Sequence, residues 1–257
     1  MRKIELAYQK NVRDLGGLVG YQNKKVKNGR LFRGGFLGRV SEKDIKIIDS
    51  LHLTHIVDFR AEEEFKNRPD YPFEGVEVIN LPAMFNDIKK EDIKTEDSNL
   101  LWFLGDSTDG FKHMFNIYPD IATKELGIHA YQEFFKLLVS QDDLRVYFHC
   151  SQGKDRAGLA AYFLEIALGV SEKDAREDYL LSNEAMKIKI KQLKVLLKNE
   201  PFYNKEYEKA LEDVFSAKEE YLDNGLRAIN EKYGSLDNYL RNVIKVDIEK
   251  LRALYLE

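Results

Sequence analysis

Thiols are almost absent from this chain: one cysteine, Cys150, in 257 residues. Without a second cysteine there can be no intramolecular disulfide framework, and the common zinc sites built on cysteine clusters are excluded as well. Nothing then argues for an oxidising compartment, so a cytoplasmic location is expected. Long hydrophobic runs are also missing. The opening MRKIELAYQKNVRDL is broken by charged and polar residues at short intervals, so it holds no signal-type apolar region, and no stretch approaches the length of a membrane span. Stable membrane insertion is not expected. Nor is there a strong excess of one charge: 40 basic against 44 acidic residues leave a net charge of −4 and no electrostatic case for a nucleic-acid partner. His52, His55, His113 and His129 show no ligand spacing, and no metal or cofactor is expected.

What is present is ample apolar material, 44% of the residues, for a sizeable core in one domain spanning 1–257. GRLFRGG at 29–35, HIVDF at 55–59 and VEVINLP at 76–82 read as short strands, with a helix between the first two. Ser41 and Asp44 have capping-box spacing at its start, and Ile45, Ile48 and Leu51 follow at helical intervals. Residues 83–127 lose clear periodicity and carry a loose aromatic set of Phe85, Trp102, Phe103, Phe111, Phe115 and Tyr118, the pattern of a functional insertion or lid. A helix over IHAYQEFFKLLVS, a strand over LRVYFH and an apolar helix over AGLAAYFLEIALG come next. A second SEKD at 171–174 starts another helix, and residues 183–255 predict several more, broken at Pro201, DNG and YGS. Alternating strands and helices followed by a helical tail predict an α/β fold with a mainly parallel central sheet and surrounding helices.

The strand LRVYFH runs directly into HCSQGKDRAG, residues 149–158. A strand that ends in Cys-x5-Arg and turns at once into a buried helix can hold a phosphate dianion against a nucleophile. Backbone N–H groups of the loop and the helix N-terminus converge on phosphate oxygens, and the helix dipole favours both phosphate and thiolate. Arg156 offers a planar fork for two phosphate oxygens, while Lys154 adds positive charge. Gly153 permits positive φ and close approach of the backbone. With Gly153 and Lys154, the remaining loop positions Ser151, Gln152 and Ala157 and the strand-end residues Asp58 and Arg60 are candidate substrate contacts, and His149 supports the strand end by hydrogen bonds. A bare Cys-x5-Arg is a weak signal, because a lone cysteine is most often a small buried hydrophobe. The apolar strand, the glycine, the charged run and the apolar helix around it all fit one mechanism.

HCSQGKDRAG resembles the HCxxGKDRTG signature loop of protein tyrosine phosphatases, in particular an atypical bacterial branch with tyrosine and phosphoinositide phosphatase activity. NVRDLGGL at 11–18, GRLFRGG at 29–35 and IVDFR at 56–60 resemble that branch's N-terminal motifs in order, so the likeness runs from about residue 11 to about residue 182. The resemblance implies a cysteine-phosphatase fold and a phosphocysteine intermediate, with Cys150 as nucleophile, Arg156 as phosphate clamp, and Lys154 with Asp155 as an extra charged pair. It departs at Ala157, where the family usually has Thr or Ser, whose hydroxyl bonds the thiolate as it leaves. Ser151 is the nearest hydroxyl that could compensate.

The leaving oxygen needs a proton, and no WPD sequence supplies one. Asp155 is the first candidate acid, Asp58 the second unless it merely pairs with Arg60 to shape the site floor, and Asp87, Asp106 and Asp109 come third. Arg13, Asp14, Arg30 and Arg33 either line the phosphate mouth or serve turns and ion pairs. Glu62, Glu63 and Glu64 read as a solvated face. Lys187, Lys189, Lys191 and Lys194 could attract an acidic lipid headgroup, although lysine-rich exposed helices are commonplace. The expected substrate is a phosphotyrosine protein, with phosphoserine and phosphothreonine as extensions. A phosphoinositide phosphatase, a phosphate-binding module without turnover and a sulfurtransferase are the rivals.

Overall fold

Side chains alternate between the two faces of a strand, and here that alternation decides where the cysteine points. The structure is a computed structural model that describes residues 2–84, 109–200 and 203–257. Its strands β1 (Arg2–Lys3), β2 (Arg13–Asp14), β3 (Leu31–Gly35), β4 (His55–Asp58), β5 (Glu77–Asn80) and β6 (Val146–Cys150) form one sheet in the order β1-β2-β3-β6-β4-β5. The last four in that order pair in parallel, and β1 and β2 extend the sheet antiparallel beyond β3. This is the α/β architecture that the alternating sequence pattern predicts. Val146, Phe148 and Cys150 of β6 face the main core together with Leu31 and Val57. Tyr147 faces the other side with Phe32 and Ile56. The thiol therefore lies on the face that carries the larger core.

Helices α1 (Glu42–Asp49) and α2 (Glu62–Asn67) join the first parallel strands; α3 (Gly110–Thr123) and α4 (Glu125–Leu138) precede β6. Ser41 and Asp44 form the reciprocal capping box that their spacing predicts at the start of α1. Helix α5 (Arg156–Leu168) follows the cysteine and is apolar on nearly every side, as a helix enclosed by sheet and neighbours must be. Then come α6 (Glu172–Lys198), α7 (Lys205–Phe215), α8 (Glu219–Tyr233), a short turn Leu236–Asn238 running into the π-helical Tyr239–Val243, and α9 (Ile248–Tyr255). No helix among the described residues is long and apolar enough to cross a membrane.

Two local expectations change. The irregular reading of 83–127 fails from Gly110 onward, where α3 buries Met114, Tyr118 and Ile121 in the main core. Phe85, Asp87, Trp102, Phe103 and Asp106 lie outside the described residues. DNG at 223–225 is not a turn but part of α8. Asn224 donates to the Phe115 carbonyl at 2.6 Å, and a Cβ on Gly225 would sit 3.5 Å from Tyr118, so this face of α8 is small and polar where α3 presses on it. Packing has overridden the turn signal.

Candidate active site

The loop between β6 and α5 is held from outside by its carbonyls. Asn11 donates to the Gln152 carbonyl at 3.0 Å, and Arg33 donates to the Gly153 carbonyl at 2.8 Å. In a trans peptide the carbonyl and the following N–H point in opposite directions, so fixing these carbonyls turns the N–H groups of Gly153 and Lys154 the other way. Gly153 has φ +69°, and a Cβ there would lie 2.2 Å from the Gly34 carbonyl oxygen. Both the backbone conformation and the close approach to β3 exclude a side chain. Cys150 closes β6 at 2% exposure, and Arg156 opens α5.

Arg156 is clamped before any substrate arrives. Its guanidinium donates to Glu64 at 2.7 Å and to the Ser151 hydroxyl at 3.1 Å, while that hydroxyl donates to the other Glu64 oxygen at 2.7 Å. Burial would push the Glu64 carboxyl up, but Arg156 with these hydrogen bonds outweighs it and holds the group down at about 2. Burial likewise disfavours the Arg156 cation, yet Glu64 reverses the balance and its pKa is raised. Glu64 is thus not part of a solvated face; it is carried by α2 to the loop. Because Ser151 is committed to Glu64 and Arg156, it does not stand in for the hydroxyl missing at Ala157.

Asp155 sits just before α5 with its side chain 22% exposed, and accepts a 2.6 Å hydrogen bond from Tyr118. The Tyr118 and Tyr179 hydroxyls are 2.6 Å apart, which continues the chain inward. Burial, reinforced by Asp155, raises the Tyr118 pKa far above its usual value, so Tyr118 stays a neutral donor. Lys154 goes elsewhere than expected. Its ammonium is buried against the Val214 and Ser216 carbonyls, 3.3 Å from Asp155, where burial lowers its pKa against the pull of that carboxylate. It ties the loop to the helical C-terminal part.

This geometry agrees with what the chain resembles as a whole. A family model described as the tyrosine phosphatase family matches residues 4–257. The chain belongs to that family. A candidate tyrosine-protein phosphatase of Cupriavidus necator is 30% identical over 258 residues, covering 96% of this chain and 85% of that one. The triple specificity protein phosphatase PtpB of Mycobacterium tuberculosis is 25% identical over 281 residues, covering 95% of this chain and 99% of PtpB. The protein is therefore a phosphatase of the atypical bacterial kind, and the likeness extends through the helical C-terminal part as well as the loop.

Under the phosphatase loop lies a buried charged floor. His149 is fully buried, with Nδ1 3.2 Å from the Cys150 carbonyl oxygen and Nε2 3.1 Å from Asp70. The Asp70 contact has ion-pair distance without hydrogen-bond geometry, since Nε2 finds no aligned acceptor. Burial would lower the His149 pKa, but Asp58 and Asp70 more than offset it and the imidazolium is favoured. Asp58 is not free to act as an acid: Arg60 donates to it from Nε at 2.9 and 3.0 Å and from Nη2 at 2.6 Å. Asp58, Asp70 and His149 lie close enough to ligate a metal, but Arg60 is 2.6 Å from one carboxylate and 3.5 Å from the other. A guanidinium already supplies the positive charge. Arg60 thus shapes the floor and is not placed as a substrate contact.

The N-terminal arginines resolve the same way. Arg13 and Arg33 both grip Asp178 of α6, at 2.7 and 2.5 Å. Asp14 accepts from the amides of Gly16 and Gly29, and Arg30 donates to the Leu144 carbonyl. None of the four lines a phosphate mouth; Arg33 acts on it through Gly153. Asp109 caps α3 by accepting from the Lys112 amide. Sequence reasoning passed over Asp178 and Glu165, although an acid inside AGLAAYFLEIALG is itself a signal. Neither Glu165 carboxylate oxygen has a hydrogen-bond partner, and burial, with Asp178 nearby, pushes its pKa well up. A protonated Glu165 can donate to Asp178, which removes the conflict.

Proposed function

We propose that this phosphatase hydrolyses phosphotyrosine in proteins through a phosphocysteine on Cys150. The observation that carries the reading is the Glu64–Arg156–Ser151 cluster, which fixes a guanidinium fork at the end of a loop whose amides are turned inward. The Cys150 thiolate attacks phosphorus, the S–P bond forms and the bond to the leaving oxygen breaks. Arg156 and the loop amides hold the equatorial oxygens. Asp155 gives its proton to the leaving oxygen, then takes one from the water that cleaves the S–P bond. Gln152, Gly153, Lys154 and Ala157 contribute backbone to this cradle. The chemistry calls on no metal or cofactor. One relative is named a triple specificity protein phosphatase, and the loop resembles a branch with phosphoinositide activity, so phosphoserine, phosphothreonine and phosphoinositide substrates belong beside phosphotyrosine in any assay panel.

Asp155→Asn tests the acid. Turnover of a phosphotyrosine peptide should fall by about 10²–10⁴-fold, and the basic-side fall of kcat should flatten. With p-nitrophenyl phosphate, whose leaving group needs little protonation, the loss should be much smaller. Equal losses on both substrates would remove Asp155 from the role.

Ala157→Thr tests the second half-reaction. Without a hydroxyl at 157, and with Ser151 held by Glu64, departure of the thiolate is expected to limit turnover. Threonine should speed phosphoenzyme breakdown and shrink the pre-steady-state burst of phenol. An unchanged burst would place the slow step elsewhere.

A further inference from the structure

Next to the catalytic loop runs a groove of about 1210 Å³. Gln152 of the loop lines it, so the groove reaches the edge of the catalytic loop. One wall is α6 from Ala185 to Leu196; the other comes from the chain before β2 and from the residues after β3. Its lining residues include Lys10, Arg39, Arg68, Lys189 and Lys191, and no Asp or Glu. Large apolar side chains are left exposed among these cations: Ile188 at 57%, Val195 at 59%, Leu196 at 47% and Tyr8 at 46%. Arg39 stacks over the Tyr8 ring at 4.1 Å, which shows how the wall combines charge with an aromatic face.

From these observations we propose that the groove binds the peptide segment flanking the phosphotyrosine, and that it selects segments carrying acidic and large apolar residues. The proposal rests on the phosphotyrosine reading above and adds the sequence class of the substrate. Three features choose a peptide as occupant. The groove reaches the loop at Gln152, Arg39 and Lys191 give its lining positive charge, and it is concave, whereas a bilayer offers a flat face. The helical wall from Ala185 to Leu196 is roughly 16 Å long at 1.5 Å per residue. About five residues of extended chain at 3.3 Å each match that length. Exposed apolar groups rimmed by charge are a usual mark of such a docking surface.

The test uses the full chain with chelator present and three substrates. These are p-nitrophenyl phosphate, a phosphotyrosine peptide with flanking Glu and Leu, and the same peptide with every Glu replaced by Lys. The wild-type protein should prefer the acidic peptide by about tenfold or more in kcat/KM, chiefly through KM, and added salt should shrink the preference. An Arg39→Glu/Lys191→Glu protein should lose or reverse that preference while hydrolysing p-nitrophenyl phosphate as the wild type does. Fluorescence anisotropy with both labelled peptides reads docking without turnover. If no phosphate is released from any substrate, the phosphatase reading fails, and the anisotropy ratio alone decides the groove. Equal affinity for the two peptides would overturn the proposal. So would binding to phosphatidylserine vesicles, lost in the double variant, without discrimination between peptides.

Discussion

An Asp178→Ala protein should lose about 3–5 kcal/mol of stability, because it strands two buried guanidinium groups, Arg13 and Arg33, that share one carboxylate. For a chain of this size that corresponds to a Tm lower by roughly 6–20 °C. Glu165→Gln should by contrast melt no earlier than the wild type near neutrality. The Glu165 carboxyl is held uncharged by burial, so glutamine keeps its shape and still offers a donor to Asp178. The sign of its pH dependence follows from the raised pKa: the contribution is complete below about 4.5, the unfolded value, and fades as pH rises toward the folded one. Thermal melts of the two variants near neutrality decide the matter. If Glu165→Gln melts as early as Asp178→Ala, Glu165 is an ionised partner and the charge assignment is wrong. A surviving Asp178→Ala protein should also bind vanadate more weakly, since Arg33 bridges Asp178 to the Gly153 carbonyl.

Glu64→Gln should cut kcat/KM by about 10²-fold without unfolding the protein. The charged hold on Arg156 is lost, and the fork can swing away from the position in which it meets phosphate. A stability signature accompanies the kinetic one. The Glu64 pKa is about 2 in the folded protein against 4.5 unfolded, so its stabilising contribution is present above about 4.5 and is lost as pH falls toward about 2. The wild-type denaturant midpoint should therefore drop more steeply over that window than the Glu64→Gln midpoint does. Parallel acid-side slopes, or wild-type kinetics in the variant, would show that Arg156 is positioned by something else.

The difference between Glu64 and Arg156 shows what the sequence could and could not reveal. Cys150, Gly153, Asp155 and Arg156 lie within one loop, and their meaning is carried by local spacing: a strand, a glycine, a charged run and an apolar helix. The parallel strands were equally legible, since each is a short apolar run bounded by turn residues. Glu64 was not, because it is one of three consecutive acids on a short helix, and only the path of the chain from β4 through α2 brings it to Ser151 and Arg156. Lys154 misled for the opposite reason. Its place beside Asp155 suggested a cation for phosphate, but the carbonyls of Val214 and Ser216, sixty residues away in sequence, capture its ammonium. Phe111, Phe115 and Tyr118 do stand at helical intervals, so α3 could have been read; the unpatterned residues before them obscured it.

Covalent phosphate on Cys150 is the most direct measure of the whole account. The protein would be mixed with excess phosphotyrosine peptide, quenched in acid within the first turnover, digested and examined by mass spectrometry. The account predicts one phosphate on the peptide that contains HCSQGKDRAG, assigned to Cys150, more abundant in the wild type than in Ala157→Thr and absent from Cys150→Ser. Release of phosphate at a normal rate by Cys150→Ser, with no modified peptide from either protein, would contradict it.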